Sequence, residues 1–272
     1  MKLTVLVDNN TLIDKYFYGE PALSFFIELD DKNILFDAGY SNIFIKNADK
    51  AKINLLNLDY VVISHGHNDH TTGLKPILNL YSKNAVFGKP LLIAHENAFK
   101  GKFENEEGFI GCPVSEDELS KVFKLNLTRK PIWLSNEVVF LGEIPRKVSF
   151  EPRSAIGCLL DTNKEDYLLD DSALAINTDK GIIIITGCSH SGIANICEYA
   201  KEICSNDKIY SVIGGLHLID ATDERLNSTI NYLNELKLDS LYACHCTGFK
   251  AQCLLAEKTN IKEVGSGLEI LF

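Results

Sequence analysis

Apolar residues over the first 64 positions fall into short runs, LTVLVD, LSFFIEL, NILFDAG and YVVIS, separated by Asp30, Asp31, Gly39 and Asn42. Short β-favouring runs between turn formers predict successive strands. The spacing from Leu74 to Tyr81 predicts a short helix with Pro76 in its first turn, and LLIA at Leu91 to Ala94 predicts a strand. Phe99 to Lys130 is charged and irregular, a candidate lid or insertion if it is not simply a solvated loop. In the second half, SALAI and GIIIIT read as paired strands joined at Asp179-Lys180-Gly181. Ile193, Ile196, Cys197, Ala200 and Cys204 then fall at helical spacing, as do Leu226, Ile230, Leu233 and Leu236. IYSVIG and SLYAC are the intervening strands, and the segment after Gly248 is helical again. The absence of repeats or a Pro/Gly/Ser linker predicts a single domain over residues 1–272.

The 46% hydrophobic content supports a sizeable core, and no apolar stretch approaches the roughly 20 residues of a membrane span. MKLTVLVDNN lacks the apolar core of a signal peptide, so a cytoplasmic protein with eight reduced cysteines is expected. A net charge of −10 disfavours a nucleic-acid partner, which needs clustered Lys and Arg.

The chemistry concentrates in SHGHNDH, where three of the seven histidines and an aspartate occupy six residues just after the strand ending at Ser64. Imidazole and carboxylate together suit a borderline metal, zinc foremost, with Mn or Fe as alternatives. His65 and His67 can face one ion while Asp69 and His70 face another, giving one or two divalent ions. One loop cannot complete such a centre, so further ligands must come from a distance. His95, His190, His217 and His245 each follow an apolar run, LLIAH, IIIITGCSH, VIGGLH and YACH, which predicts a shared place at one rim of a sheet. His190 and His245 are the leading additional ligands. His95 and His217 read either as ligands or as imidazoles facing substrate. Cys188 either coordinates metal or fills a small apolar slot. The C-x-C spacing of Cys244 and Cys246 is too short for a structural zinc ribbon.

SHGHNDH followed by Thr-Thr-Gly-Leu resembles the H-x-H-x-D-H signature of the metallo-β-lactamase superfamily. GEIPR, GCSHSGIANI, GGLHL and CHCTG resemble its branch of dihydropterin-ribofuranosylaminobenzene-phosphate synthase-like hydrolases. The resemblance implies an α/β (α+β) fold, an αββα sandwich of two mixed sheets flanked by helices, with the metal site at one edge. It also implies that His65, His67, Asp69, His70 and His245 are metal ligands. Where superfamily members carry a histidine before the paired strands and an aspartate after the second, this chain offers Asp170 or Asp171 and then Cys188.

A pair of ions lowers the pKa of bound water from 15.7 to about 7, and the resulting hydroxide can attack a phosphoester or phosphodiester of a small, phosphorylated substrate. Asp69 would orient that nucleophile, and His217 or His95 would donate to the developing oxyanion. Arg146, Arg153, Lys75 and Lys250 are candidate phosphate clamps. The branch name implies instead a synthase acting on a pterin. A pterin- or folate-like ligand bound without turnover, and redox chemistry at a di-iron site, are the further alternatives.

Overall fold

The runs that read as strands in the sequence pair largely in sequence order. The computed structural model describes residues 1–29, 31–84, 88–151 and 153–272, and Asp30, one of the expected turn residues, lies outside them. The chain folds into two compact units, the first made of residues 1–128, 156–166 and 264–272, the second of residues 129–155 and 167–263.

Unit 1 is built on β1 (Lys2–Val7), β2 (Ser24–Leu29), β3 (Lys32–Phe36), β4 (Tyr60–Val62), β5 (Leu91–Ala94), β8 (Lys124–Leu127) and β16 (Glu269–Leu271), numbered in chain order. They form one mixed sheet in the order β16-β1-β2-β3-β4-β5-β8, antiparallel from β16 to β3 and parallel from β3 to β8. Helices α1 (Ile43–Lys50), α3 (Leu74–Ser82) and α4 (Glu116–Ser120) bring Phe44, Leu74, Ile77 and Leu119 into one cluster with Leu6, Phe26, Leu35, Val61 and Leu92 of the sheet. Ser115 and Glu118 form a reciprocal capping box at the start of α4. The stretch 99–130, expected to be irregular, holds β6 (Lys102–Glu104), β7 (Gly108–Phe109), α4 and the edge strand β8. Its charged residues lie on α4, in turns and within the strands themselves, at Lys102, Glu104 and Lys124, which masked the short strands. With β11 (Cys158–Leu159), β6 and β7 make a small three-stranded sheet.

Unit 2 carries β9 (Ile132–Trp133), β10 (Val138–Phe140), β12 (Ala173–Thr178), β13 (Gly181–Thr186), β14 (Ile209–Gly215) and β15 (Ser240–Cys244), in the order β15-β14-β13-β12-β10-β9. β12 and β13 form the expected antiparallel hairpin. β13, β14 and β15 are parallel, so α5 (Ile193–Cys204) and α6 (Asp223–Glu235) serve as crossovers. Ile193, Ile196, Cys197 and Ala200 of α5 and Leu226, Ile230 and Leu233 of α6 pack with Ile182, Ile184, Val212 and Leu241, and α7 (Phe249–Ala256) adds Ala251 and Leu255. Because three parallel strands run the same way, the residues after them share one edge of the sheet. His190, His217 and His245 are those residues.

Candidate metal centre

In unit 1 the motif leaves β4 and winds into a one-turn helix, α2 (Asn68–Thr71), with His67 at its N-cap and Asp69 in its first turn. The backbone is tied to neighbouring strand ends: Ala38 N–H donates to the His70 carbonyl, Leu23 N–H to that of Asp69, and Asn68 N–H to that of Ile110. Gly66, between the first two histidines, admits no side chain, since a Cβ there would run into the Ala98 carbonyl. His65, His67 and His70 are all buried. The His65 ring centroid lies 4.7 Å from that of His67 and 4.3 Å from that of His70.

Asp37, fully buried after β3, organises this cluster. Its Oδ1 accepts the Ser64 amide at 2.7 Å, and its Oδ2 accepts the Ser64 hydroxyl at 2.7 Å and His70 Nδ1 at 2.7 Å. Since the one Ser64 hydroxyl proton goes to Asp37, the 2.9 Å contact between Ser64 Oγ and His65 Nδ1 requires the imidazole to donate. Nδ1 of both rings is thereby assigned as N–H, and Nε2 is the nitrogen that can carry the ligating lone pair. Burial pulls the His70 pKa down, but Asp69 and Asp37 outweigh it and hold the pKa well above the ordinary value. Asp69 Oδ2 stands 3.5 Å from His70 Nε2, so a cation there would replace a proton. His95 is buried after β5, and its Nδ1 accepts the Asn97 amide at 3.1 Å, leaving Nε2 as its one candidate donor atom.

Unit 2 gathers a second set. Donor atoms of Cys188, His190 and His217 all lie within 4.8 Å of one another, and the His190 and His217 rings are 4.3 Å apart. His217 Nδ1 is buried and has no hydrogen-bond partner among the described residues. The loops are laced together at the rim: Gly215 N–H donates to the Gly187 carbonyl, and the Ser189 hydroxyl to that of Gly215. Ser189, His217 and His245 hold φ values of 60°, 44° and 52°, three left-handed non-glycine residues at the ends of three adjacent strands. Such conformations cost of order 1–3 kcal/mol each and gather where function demands them. Cys246 accepts the His217 amide at 3.3 Å. Burial alone would raise its thiol pKa, but the Cys188 side chain, His245 and His217 outweigh burial and hold it well below the ordinary thiol range.

Asp170 and Asp171 are both buried. Asp171 Oδ2 accepts the amide and hydroxyl of Ser191 at 2.9 and 2.5 Å, while Oδ1 has no hydrogen-bond partner among the described residues. Burial raises its carboxyl to about 6 in spite of those bonds. Arg146, a candidate phosphate clamp from its position, donates instead to the carbonyls of Tyr167 and Leu168. Lys250 pairs with Asp223 on the surface at 2.8 Å.

Sequence reasoning passed over three residues that shape these clusters. Asp37 had a signal, a carboxylate directly after a strand in FDAG, but its partner His70 is 33 positions away. Glu151 accepts the Ala194 amide at 2.7 Å and so caps α5, whose first turn contains no acidic residue. It packs where a Gly192 Cβ would lie. Arg225 reaches from α6 to within 3.7 Å of Glu151 and donates to the His217 carbonyl at 3.0 Å, bracing the strained residue.

The sequence signature described as the metallo-β-lactamase superfamily matches residues 18–152. A protein of Methanocaldococcus jannaschii named 7,8-dihydropterin-6-methyl-4-(beta-D-ribofuranosyl)-aminobenzene-5'-phosphate synthase is 35% identical over 289 aligned residues, covering 100% of this chain and 97% of its own. This chain belongs to the metallo-β-lactamase superfamily. The crystal structure of Tm1679, described as a metal-dependent hydrolase of the beta-lactamase superfamily, aligns over 100% of this chain and 99% of its own, with a TM-score of 0.84 and 26% identity. Zinc-bound PqqB from Methylobacterium extorquens shares the fold, with a TM-score of 0.57 and 12% identity over the whole of both chains. The mixed α/β architecture, with mixed sheets flanked by helices, is that of the superfamily. Within this metallo-β-lactamase fold, the imidazoles, thiol and carboxylates of the two units are candidate ligands for a divalent metal. The donor set fits such an ion, because Asp37 and Ser64 already orient two rings as ligand-bearing imidazoles are oriented. Among the described residues no helix is long and apolar enough to cross a membrane.

Proposed function

We propose that this protein is a metal-dependent hydrolase acting on a phosphoester or phosphodiester of a small molecule. The observation that carries this reading is the buried Asp37–His70 and Ser64–His65 pairing, which assigns a proton to Nδ1 of both rings and leaves Nε2 for the ion. The proposed ligands are His65, His67, Asp69, His70, His190 and His245, with Cys188, Asp171 and His95 as further donors. Zinc suits this nitrogen-rich, partly thiolate set best, and Mn or Fe are the alternatives. A bound divalent ion supplies Lewis acidity, which polarises a phosphoryl oxygen and makes water nucleophilic near neutral pH.

The chain's own groups do the rest. The Asp69 carboxylate accepts a proton and orients the attacking water, while His217, whose Nδ1 is buried without a partner, donates to the oxygen that gains charge. Cys246 and Arg225 hold His217 through its amide and carbonyl, so its ring is aimed before substrate arrives.

A second reading is favoured by the full-length likeness to the relative named as a synthase: joining a pterin to a phosphoribosyl-aminobenzene partner. Elemental analysis of the purified protein beside His65→Ala and His190→Ala, followed by assay of bis(p-nitrophenyl) phosphate, tests the proposal. Metal in the parent, its loss in both variants and hydrolysis that follows metal content are expected. A fully metallated protein that turns over no phosphoester, yet condenses the pterin and aminobenzene substrates, would overturn the hydrolase and establish the synthase.

A further inference from the structure

Unit 1 carries a groove of about 540 Å³ lined by the start of α1 and by α3 and the turn before it, with none of the proposed metal ligands among its lining residues. Its volume lies in the range of small-molecule sites, roughly 300–1,000 Å³. Lys46, Lys75 and Lys83 line it together with Tyr40, Pro76 and Leu80, and no carboxylate is among the lining residues. That composition stands against the chain as a whole, where 37 acidic residues outnumber 27 basic ones. None of the three lysines makes an ion pair within the described residues. Lys46 lies 5.8 Å from the centre of the Tyr18 ring, itself 57% exposed, and Tyr40 is 48% exposed.

Two carboxylates that meet lining residues have other work. Glu20 accepts the amides of Tyr40 and Ser41 at 3.0 Å and the Ser41 hydroxyl at 2.6 Å. Glu118 is held low chiefly by the Ser115 amide and hydroxyl, with Lys121 and Lys75 contributing through space. Three ammonium groups around an apolar wall with a half-exposed phenol offer charge to an anion and a flat face to a ring.

We propose that this groove is an anion-binding site for a small phosphorylated aromatic molecule, and that it works independently of the metal. Phenylphosphonate, which cannot be hydrolysed, is the probe. Calorimetric titration into EDTA-treated protein is expected to show saturable one-to-one binding, weakened by raised salt. Lys75→Gln with Lys83→Gln should weaken it at least tenfold while the thermal midpoint stays unchanged. Tyr40→Ala should remove the preference for phenylphosphonate over methylphosphonate. Absence of saturable binding would overturn the proposal. So would binding that survives the double lysine substitution, or binding that appears only on adding metal and vanishes in His65→Ala. Because the titration is done without metal, failure of the hydrolase reading leaves its outcome unchanged.

Discussion

Lys102 and Asp166 form an ion pair at 2.6 Å in unit 1, with side chains 0% and 6% exposed. The pair joins β6 to the segment beyond β11, and Lys102 Cε lies 3.0 Å from where a Gly66 Cβ would stand, directly under the motif loop. Replacing Lys102 with Met keeps most of the aliphatic stem and removes the ammonium, leaving Asp166 buried opposite an apolar group. Breaking a buried pair from one side costs about 3–5 kcal/mol, whereas exchanging both partners for apolar residues of similar size is near neutral or stabilising. With a urea slope of about 2 kcal/mol per M, Lys102→Met should lower the unfolding midpoint by about 1.5–2.5 M. Asp166→Leu alone should do the same, and the double substitution should restore most of the loss. Circular dichroism in urea reads all four proteins. If either single variant costs less than about 1 kcal/mol, or if the double variant shows the sum of the two losses, the pair is not a coupled buried charge pair.

Four further tests follow from the same physics. Asp37→Asn should weaken metal affinity about 10–100-fold in chelator competition, and equal affinity would remove Asp37 from its orienting role. In the metal-free protein the raised His70 pKa contributes stability fully present below the unfolded value near 6.5 and lost as pH rises through the folded value. Melting curves across that window should show this alkaline loss, and it should shrink in Asp37→Asn. Thiol labelling at pH 8 should mark exposed Cys253 fast and spare Cys197, which is buried and pushed up to about 12; peptide mapping that finds Cys197 labelled in the native protein would contradict this. Gly66→Ala should fail to accumulate as folded protein or melt far lower, because the clash is with backbone rather than a movable side chain, and an unchanged melting point would refute this.

The parts of this architecture written in local order were legible beforehand. Short apolar runs gave the strands, helical spacing gave α3, α5 and α6, and SHGHNDH marked a candidate metal loop because so many imidazoles rarely gather by accident. His190, His217 and His245 were legible too, since a parallel sheet places the ends of β13, β14 and β15 on one edge, whereas His95, expected at the same rim, follows β5 of the other sheet. What escaped was whatever depends on distant residues meeting. Asp37 serves His70 from 33 positions away, and Glu151 caps a helix beginning 42 residues later. Lys102 read as part of a charged loop, because nothing near it in sequence indicates Asp166, 64 positions on. Strand β16 is short, and only its antiparallel pairing with β1 at Leu3 and Ile270 gives it identity.

That last pairing bears on how the chain is made. Unit 1 draws on residues 264–272, and Phe272 N–H donates to the Met1 carbonyl. During synthesis the first 128 residues emerge with the outer edge of β1 open, and the strand that closes it is translated about 140 residues later. At roughly 5–20 residues per second, that edge waits on the order of ten seconds for its partner. An open edge can pair with another chain during that interval. Lys2, which pairs with Glu28 of β2 at 3.7 Å and, once β16 arrives, with Glu269 at 2.8 Å, puts a charge on the vulnerable strand from the first moments of its existence.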